Sequence, residues 1–285
     1  MNIESWEEFQ QINQAITRFT DGIEDGIYLK EAVSHICNSG GKKIRPIMLL
    51  LSAEVCDAKI EDGLDAALAI ELIHSASLVH DDLLDMGTIR RGIETTNEKY
   101  GNGIAMLAGD YLISKSIELL ASYKKEVIAE FGKAGMRMAE GEVIDIKGFS
   151  EKQWNEEKYF RCIRNKTASL FAASTAMGAY AADADEDKVA CLREYGERVG
   201  AAYQILDDLL EYRKILNDKH SIQHSTGLVE IYSMHMNSAD AMRKVEERVH
   251  EEVNFANSLL KKFPDSPARD KLFQITEYAT FCMLP

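Results

Sequence analysis

"HDDLLDMGTIRRG", residues 80–92, sets three carboxylates within five positions and, after a glycine, two adjacent arginines. The segment before it, "LIHSASLVH" (72–80), reads as core helix, so the acids stand at the mouth of a buried element. At about 100° per residue, Asp81 and Asp85 share one helix face, with Asp82 at its edge. A second run, "QILDDLLEYRK" (204–214), repeats the pattern. There Asp207 and Glu211 share a face and Asp208 lies beside them, again after an apolar lead-in. Two such echoes predict two helices that face each other across a hollow.

The rest of the chain agrees with a helical reading. Ile3, Trp6, Phe9, Ile12, Ile16 and Phe19 recur at three- and four-residue steps, as one helix stripe would. Apolar stretches at 43–56, 61–86, 103–121, 123–147, 154–180, 186–214 and 239–262 also suit helices, and no alternating strand pair stands out. The breaks are short and mostly glycine-bearing: "NSGGKKIRP", "DMGTIRRG", "KYGNG" and "FPDSPARD". With no linker or low-complexity segment, the expectation is one all-α domain over 1–285, a bundle of roughly ten or more helices around a central cavity.

Composition narrows the function. A net charge of −14 with no basic arm argues against nucleic acid as a partner. The N-terminus has neither the basic start nor the apolar core of a signal segment, and no apolar run reaches membrane-spanning length, so a cytoplasmic protein is expected. Five widely spaced cysteines form no paired metal motif and are expected to be reduced. An anionic ligand would oppose the overall field and must be held by local cations.

Carboxylates four residues apart repel unless a hard cation lies between them. Mg²⁺ takes few carboxylates together with water and phosphate oxygens, so two acidic helices facing each other could hold a diphosphate through bridging ions. Each cluster read alone is equally a solvated helix end. The basic residues complete a candidate constellation. Gly87 lets the helix end, so that Arg90 and Arg91 can fold back toward the acids, where guanidinium forks suit phosphate. "NSGGKKIRP" offers a glycine loop with Lys42 and Arg45 ahead of Pro46. His74 lies on the stripe of Asp81, as a core histidine or a ligand contact. Lys166, Thr167 and Gln204 read individually as surface or cap residues.

Taken in order, "GGKKIRP", "ELIHSASLVHDDLLDMGTIRRG", "EGEVIDI", "NKTASLF" and "GERVGAAYQILDDLLE" resemble the trans-isoprenyl diphosphate synthase (polyprenyl synthetase) family over roughly residues 38–212. The resemblance implies a homodimer that condenses an allylic diphosphate with isopentenyl diphosphate, using Mg²⁺, about three ions per active site. By position, Asp81, Asp82 and Asp85 form its first aspartate-rich motif, and Asp207, Asp208 and Glu211 its second. Asp81, Asp85, Asp207, Asp208 and Glu211 would hold metal. Arg90, Lys166, Thr167 and Gln204 would face the allylic substrate; Lys42, Arg45, His74 and Arg91 would hold isopentenyl diphosphate. Asp81, Asp82, Asp85, Arg90, Lys166 and Asp207 carry the catalytic expectation.

Beneath the first motif, Ala76 and Ser77 are small, and the family places bulky aromatics near there when it stops at fifteen carbons. A longer product, C20 to C30, is therefore implied, with Ile73 and the helix bearing Met106 and Leu107 as the floor. Two departures stand out: Glu211 replaces the usual aspartate, and "YRKILNDKHSIQHSTGLVEI" lacks the family's usual lid, although Lys214 and Lys219 could substitute. A regulatory partner subunit and a terpene cyclase remain alternatives.

Overall fold

The computed structural model describes residues 2–24, 27–151, 154–217 and 227–281. After a short turn at Ile3–Ser5 come α1 (Glu7–Asp21), α2 (Ile27–Cys37), α3 (Ile44–Glu54) and α4 (Ile60–Leu84). A hairpin, β1 (Ile89–Arg90) with β2 (Ile93–Glu94), leads to α5 (Thr96–Tyr100), α6 (Asn102–Leu120) and α7 (Lys125–Glu151). Then follow α8 (Glu156–Ile163), a π-helical turn (Arg164–Ala168), α9 (Ser169–Ala181), α10 (Glu186–Asn217), α11 (Leu228–Ser233), α12 (Ser238–Leu260) and α13 (Pro267–Phe281). The fold is all-α.

The centre is built from helices that are apolar all round. In α9, "SLFAASTAMGAYA", every residue from Ser169 to Tyr180 is buried, because α3, α7 and α10 surround it. Its hydroxyls are satisfied internally: Ser174 donates to the Leu170 carbonyl at 2.7 Å and Thr175 to the Leu192 carbonyl at 2.6 Å. Leu49, Leu50 and Leu51 on α3 are fully buried, each contributing roughly 1.5–3 kcal/mol. A second apolar cluster joins α8, the later turns of α10, α11 and α12 through Tyr159, Ile205, Leu209 and Val249. As α10 runs through both clusters, its acidic residues are fixed from two sides.

The expected stretches match the long helices, with three differences. Residues 27–37 and 267–281 form α2 and α13, which the apolar pattern did not mark; Pro267 opens α13 at a first-turn position where its missing N–H costs nothing. The stretch 154–180 is helical but broken in phase by the π turn. The antiparallel hairpin, pairing Ile89 with Glu94 and Arg90 with Ile93, is too short for alternation to reveal. Cys37, Cys56, Cys162 and Cys191 are free thiols, as expected; Cys282 lies outside the described residues. Among the described residues no helix is long and apolar enough to cross a membrane.

Candidate active site

The first acidic motif closes α4. Asp85 is the cap, Met86 takes the left-handed conformation (φ 53°), and the Gly87 N–H donates to the Asp82 carbonyl at 2.9 Å. Sequence reasoning gave the exit to Gly87; the left-handed residue is Met86, one position earlier. The chain then reverses through Arg91 (φ 52°) and Gly92 (φ 81°), a two-residue turn whose twist suits a hairpin. This sends the two arginines to different partners. Arg90 clamps the buried Asp82 carboxylate through Nε (2.9 Å to each oxygen) and Nη2 (2.8 Å). Arg91 reaches the glycine loop, donating to the Gly40 carbonyl at 2.5 Å. Asp82 is thus neutralised behind the rim, while Asp81 and Asp85 stay without an arginine partner among the described residues.

Arg91 helps to wall a cavity of about 690 Å³, together with Lys42, Lys43, Arg45 and His74. Arg45 lies 4.3 Å from the Phe171 ring centroid and donates from Nη1 to His74 Nε2 at 3.2 Å. Burial lowers Arg45 to about 10 and holds His74 well below its usual value, with Arg45 and Arg91 adding to the effect. His74 is therefore a neutral acceptor. The buried Nε of Arg45 has no partner among the described residues, leaving one donor of this cationic wall unused. From α13, Tyr278 accepts a hydrogen bond from Lys42, whose Nζ also lies 4.0 Å from the ring centroid.

Thr167, Gln204 and Asp207 line this cavity and also a second one, of about 240 Å³, so the two adjoin. The second brings Asp85 from α4 together with Asp145 from α7, Lys166, and Asp207, Asp208 and Glu211 from α10. Lys166 and Thr167 lie in the π turn, where one extra residue per turn redirects side chains. There α7 comes so close that a Cβ on Gly141 would sit 2.2 Å from the Lys166 backbone nitrogen, so only glycine fits. Lys166 is held between Asp145 (2.6 Å) and Glu142 (2.7 Å), which raise its pKa against the effect of burial.

The acids differ in state. Burial, then the charge of Glu142, raises Asp81 to about 7. Asp207 is also raised, mainly by burial. Asp208 is pushed up to about 7 by burial, although Tyr159 donates to one of its oxygens at 2.5 Å and Gln204 to the other at 2.8 Å. Thr167 in turn donates to Gln204 at 2.7 Å. Both Asp208 oxygens are already engaged, unlike the pattern expected of a free metal ligand. Among the described residues no three His, Cys, Asp or Glu side chains converge on one point; the acids occupy separate walls.

Sequence reasoning missed Glu142, Asp145, Tyr159, Glu71 and Tyr278. The first two were visible in "EGEVIDI", three positions apart on one helix face, but drew no role. Below the first motif Ala76 is buried and Ser77 half-buried, donating to the His74 carbonyl at 2.8 Å. Ile73 points to α7, 3.6 Å from where a Cβ on Gly135 would be. On the helix expected as a floor, Met106 and Leu107 themselves are more than half exposed, while Ala105, Ala108 and Leu112 turn inward. Lys214 is exposed, and Lys219 lies outside the described residues.

The chain matches the polyprenyl synthetase family over residues 27–244. It is 47% identical over 284 residues to geranylfarnesyl diphosphate synthase of Methanosarcina mazei, covering all of this chain and 96% of that one. A crystal structure of a geranyltranstransferase from Methanosarcina mazei superposes with a TM-score of 0.87 at 46% identity, each chain fully covered. Geranylgeranyl pyrophosphate synthetase from Pyrococcus horikoshii gives 0.88 at 28% identity, with 96% of each chain covered.

Proposed function

The chain belongs to the polyprenyl synthetase family, and from that premise we infer that it is a trans-prenyltransferase, joining isopentenyl diphosphate head-to-tail to an allylic diphosphate and building chains beyond C15. The observation that carries the reading is the pair of adjoining cavities, one walled by cations and the other by carboxylates around Lys166. Two diphosphates of different duty need two such environments.

In this assignment Lys42, Arg45, His74 and Arg91 bind the isopentenyl diphosphate, with the unused Arg45 Nε as a further donor. Lys166, Thr167 and Gln204 face the allylic substrate, and Arg90 steadies the first motif through Asp82. The allylic carbon–oxygen bond breaks, and the diphosphate leaves with both electrons. The alkene of isopentenyl diphosphate attacks the allylic cation, forming the new carbon–carbon bond. Loss of a proton to the released diphosphate restores the double bond. The residues' part is to place the two substrates, offer positive charge and exclude water.

The donor set fits Mg²⁺: hard carboxylate oxygens, of which Asp81 and Asp207 are raised by burial in spite of the cations around them. Asp81 and Asp85 would hold it on one side, Asp207 and Glu211 on the other. Mg²⁺ bound there supplies charge to the departing diphosphate. Asp208 is better suited to holding Gln204 and α8 in place than to coordinating an ion.

A C25 product is the specific proposal, supported by the small Ala76 and Ser77 beneath Asp81 and by the likeness to a geranylfarnesyl synthase. A homodimer is supported by the apolar side chains left exposed on α6 and α7: Met106, Leu107, Ile117, Met136, Val143 and Ile146. A cytoplasmic setting is supported by its water-soluble diphosphate substrates. Incubation with Mg²⁺, isopentenyl diphosphate and separate C5, C10, C15 and C20 primers tests the reading. Elongation past C15 is expected; no incorporation from any primer would overturn it.

A further inference from the structure

Lys43, the second lysine of "GGKKIRP", does not share the duty of Lys42. It takes the left-handed conformation (φ 52°, ψ 34°), which a side chain other than glycine adopts only when its surroundings hold it there. Those surroundings are visible. Lys43 is 7% exposed, and its Nζ donates to Glu71 Oε1 at 2.8 Å and to the Gly40 carbonyl at 3.3 Å. Glu71 is itself 4% exposed, on α4, one turn before His74. The Gly40 carbonyl also accepts from Arg91 at 2.5 Å. A continuous path thus runs from Glu71 to Lys43, to the Gly40 carbonyl, to Arg91, tying α4 to the glycine loop and the hairpin along one side of the cationic cavity.

We propose that Glu71 and Lys43 are positioning residues for the isopentenyl diphosphate site: a buried strut that fixes the glycine loop, and with it Lys42 and Arg91, in the geometry that receives the diphosphate. The inference rests on the prenyltransferase reading above for the identity of the ligand.

Two accounts of Glu71 predict opposite signs. As a mere negative charge facing an anion site, it opposes binding, and neutralising it tightens binding. As the anchor of the strut it preorganises the site, and neutralising it loosens binding, because Lys43 loses its charged partner and the loop its fixed end. The strut account also predicts selectivity. Glu71, Lys43 and Arg91 line the cationic cavity and none of them lines the second one around Lys166, so the allylic substrate should be far less affected than isopentenyl diphosphate.

The test is steady-state kinetics of Glu71→Gln with isopentenyl diphosphate and a C15 allylic diphosphate, beside calorimetric Kd values for isopentenyl diphosphate alone. The expected result is a rise of roughly tenfold in KM and Kd for isopentenyl diphosphate, with kcat and the allylic KM within about twofold of wild type. Lys43→Arg, which keeps the cation, should restore most of the affinity lost in Lys43→Met. A Kd that is unchanged or lower in Glu71→Gln, or an equal loss in both substrates, overturns the strut. Should Glu71→Gln fold poorly, the double variant Glu71→Met/Lys43→Met, which refills the space without buried charge, must show the same rise in Kd. A wild-type protein that binds isopentenyl diphosphate without turning it over would defeat the prenyltransferase reading and leave the Kd comparison to decide the strut.

Discussion

Tyr159 donates its phenolic hydrogen to Oδ2 of Asp208 at 2.5 Å, joining α8 to α10 at the point where the second acidic motif meets the cavity. Burial and the neighbouring Asp208 both hold the phenol well above its ordinary pKa, so it remains a donor throughout the working range. Tyr159→Phe removes that donor and leaves a buried carboxylate oxygen unpaired. The expected loss is about 1–3 kcal/mol in urea unfolding. An unchanged midpoint and slope would mean that the bond contributes nothing.

The first motif should matter to turnover far more than to folding. Asp81→Ala and Asp85→Ala are each expected to lower kcat by at least about 100-fold, with far-ultraviolet circular dichroism unchanged. Near-normal rates would remove both residues from the active site.

Occupancy of the acidic walls should also be readable as stability. Asp81 is raised to about 7 in the folded chain, so its protonated form is favoured; the fold is most at ease below the unfolded carboxylate value and loses stability as pH rises toward 7. At one fixed concentration, Mg²⁺ with inorganic pyrophosphate should therefore raise Tm more at pH 8, where a hundredfold excess over Kd stabilises by about 2.7 kcal/mol in all, than at pH 5, where Kd is weaker. An equal shift at both pH values would contradict the placement.

Glu54 gives a pH test far from the chemistry. Burial, followed by the charge of Glu8, raises it to about 7, and its Oε1 has no hydrogen-bond partner among the described residues. A carboxyl raised on folding destabilises once ionised. The cost is absent below the unfolded value, grows as pH rises through about 7 and is full above it. Because the side chain is only partly buried, solvent screening reduces the effect to about 1 kcal/mol. Glu54→Gln is expected to raise stability by that amount at pH 8 and not at pH 4, measured by urea unfolding at both. A gain of equal size at pH 4 would rule out the charge as its cause.

Chain length should respond to bulk below Asp81. Ser77→Phe is expected to shorten the product by about one or two isoprene units, since a ring cannot fit there without taking space from the growing chain. Chromatography of the hydrolysed products reads this directly, and an unchanged distribution would place the limit elsewhere.

The helical class and both acidic motifs were legible because each rests on spacing within one helix. What escaped notice depended on partners brought together only by folding. Lys42 meets Tyr278 from the far end of the chain, on a helix whose apolar pattern was overlooked. Asp208 reads as one more acid of its motif, yet one step of about 100° turns it from the face of Asp207 toward α8 and Tyr159. Arg90 and Arg91 read as a pair, but a tight turn divides them between Asp82 and the glycine loop. The helix bearing Met106 and Leu107 packs on α4 and buries Ala105, Ala108 and Leu112, none of which the sequence pattern singled out.

The π turn at Arg164–Ala168 makes this site sensitive to length rather than to chemistry. Removing a single residue such as Asn165 would let the strand of helix from Glu156 onward run on in regular α phase, swinging Lys166 by about 100° relative to the flanking turns. Every side chain of the reaction would still be encoded, yet the ammonium would have lost its station opposite Glu142 and Asp145. A one-codon deletion here is therefore a sharper blow than most substitutions nearby, and it leaves no altered letter behind to explain it.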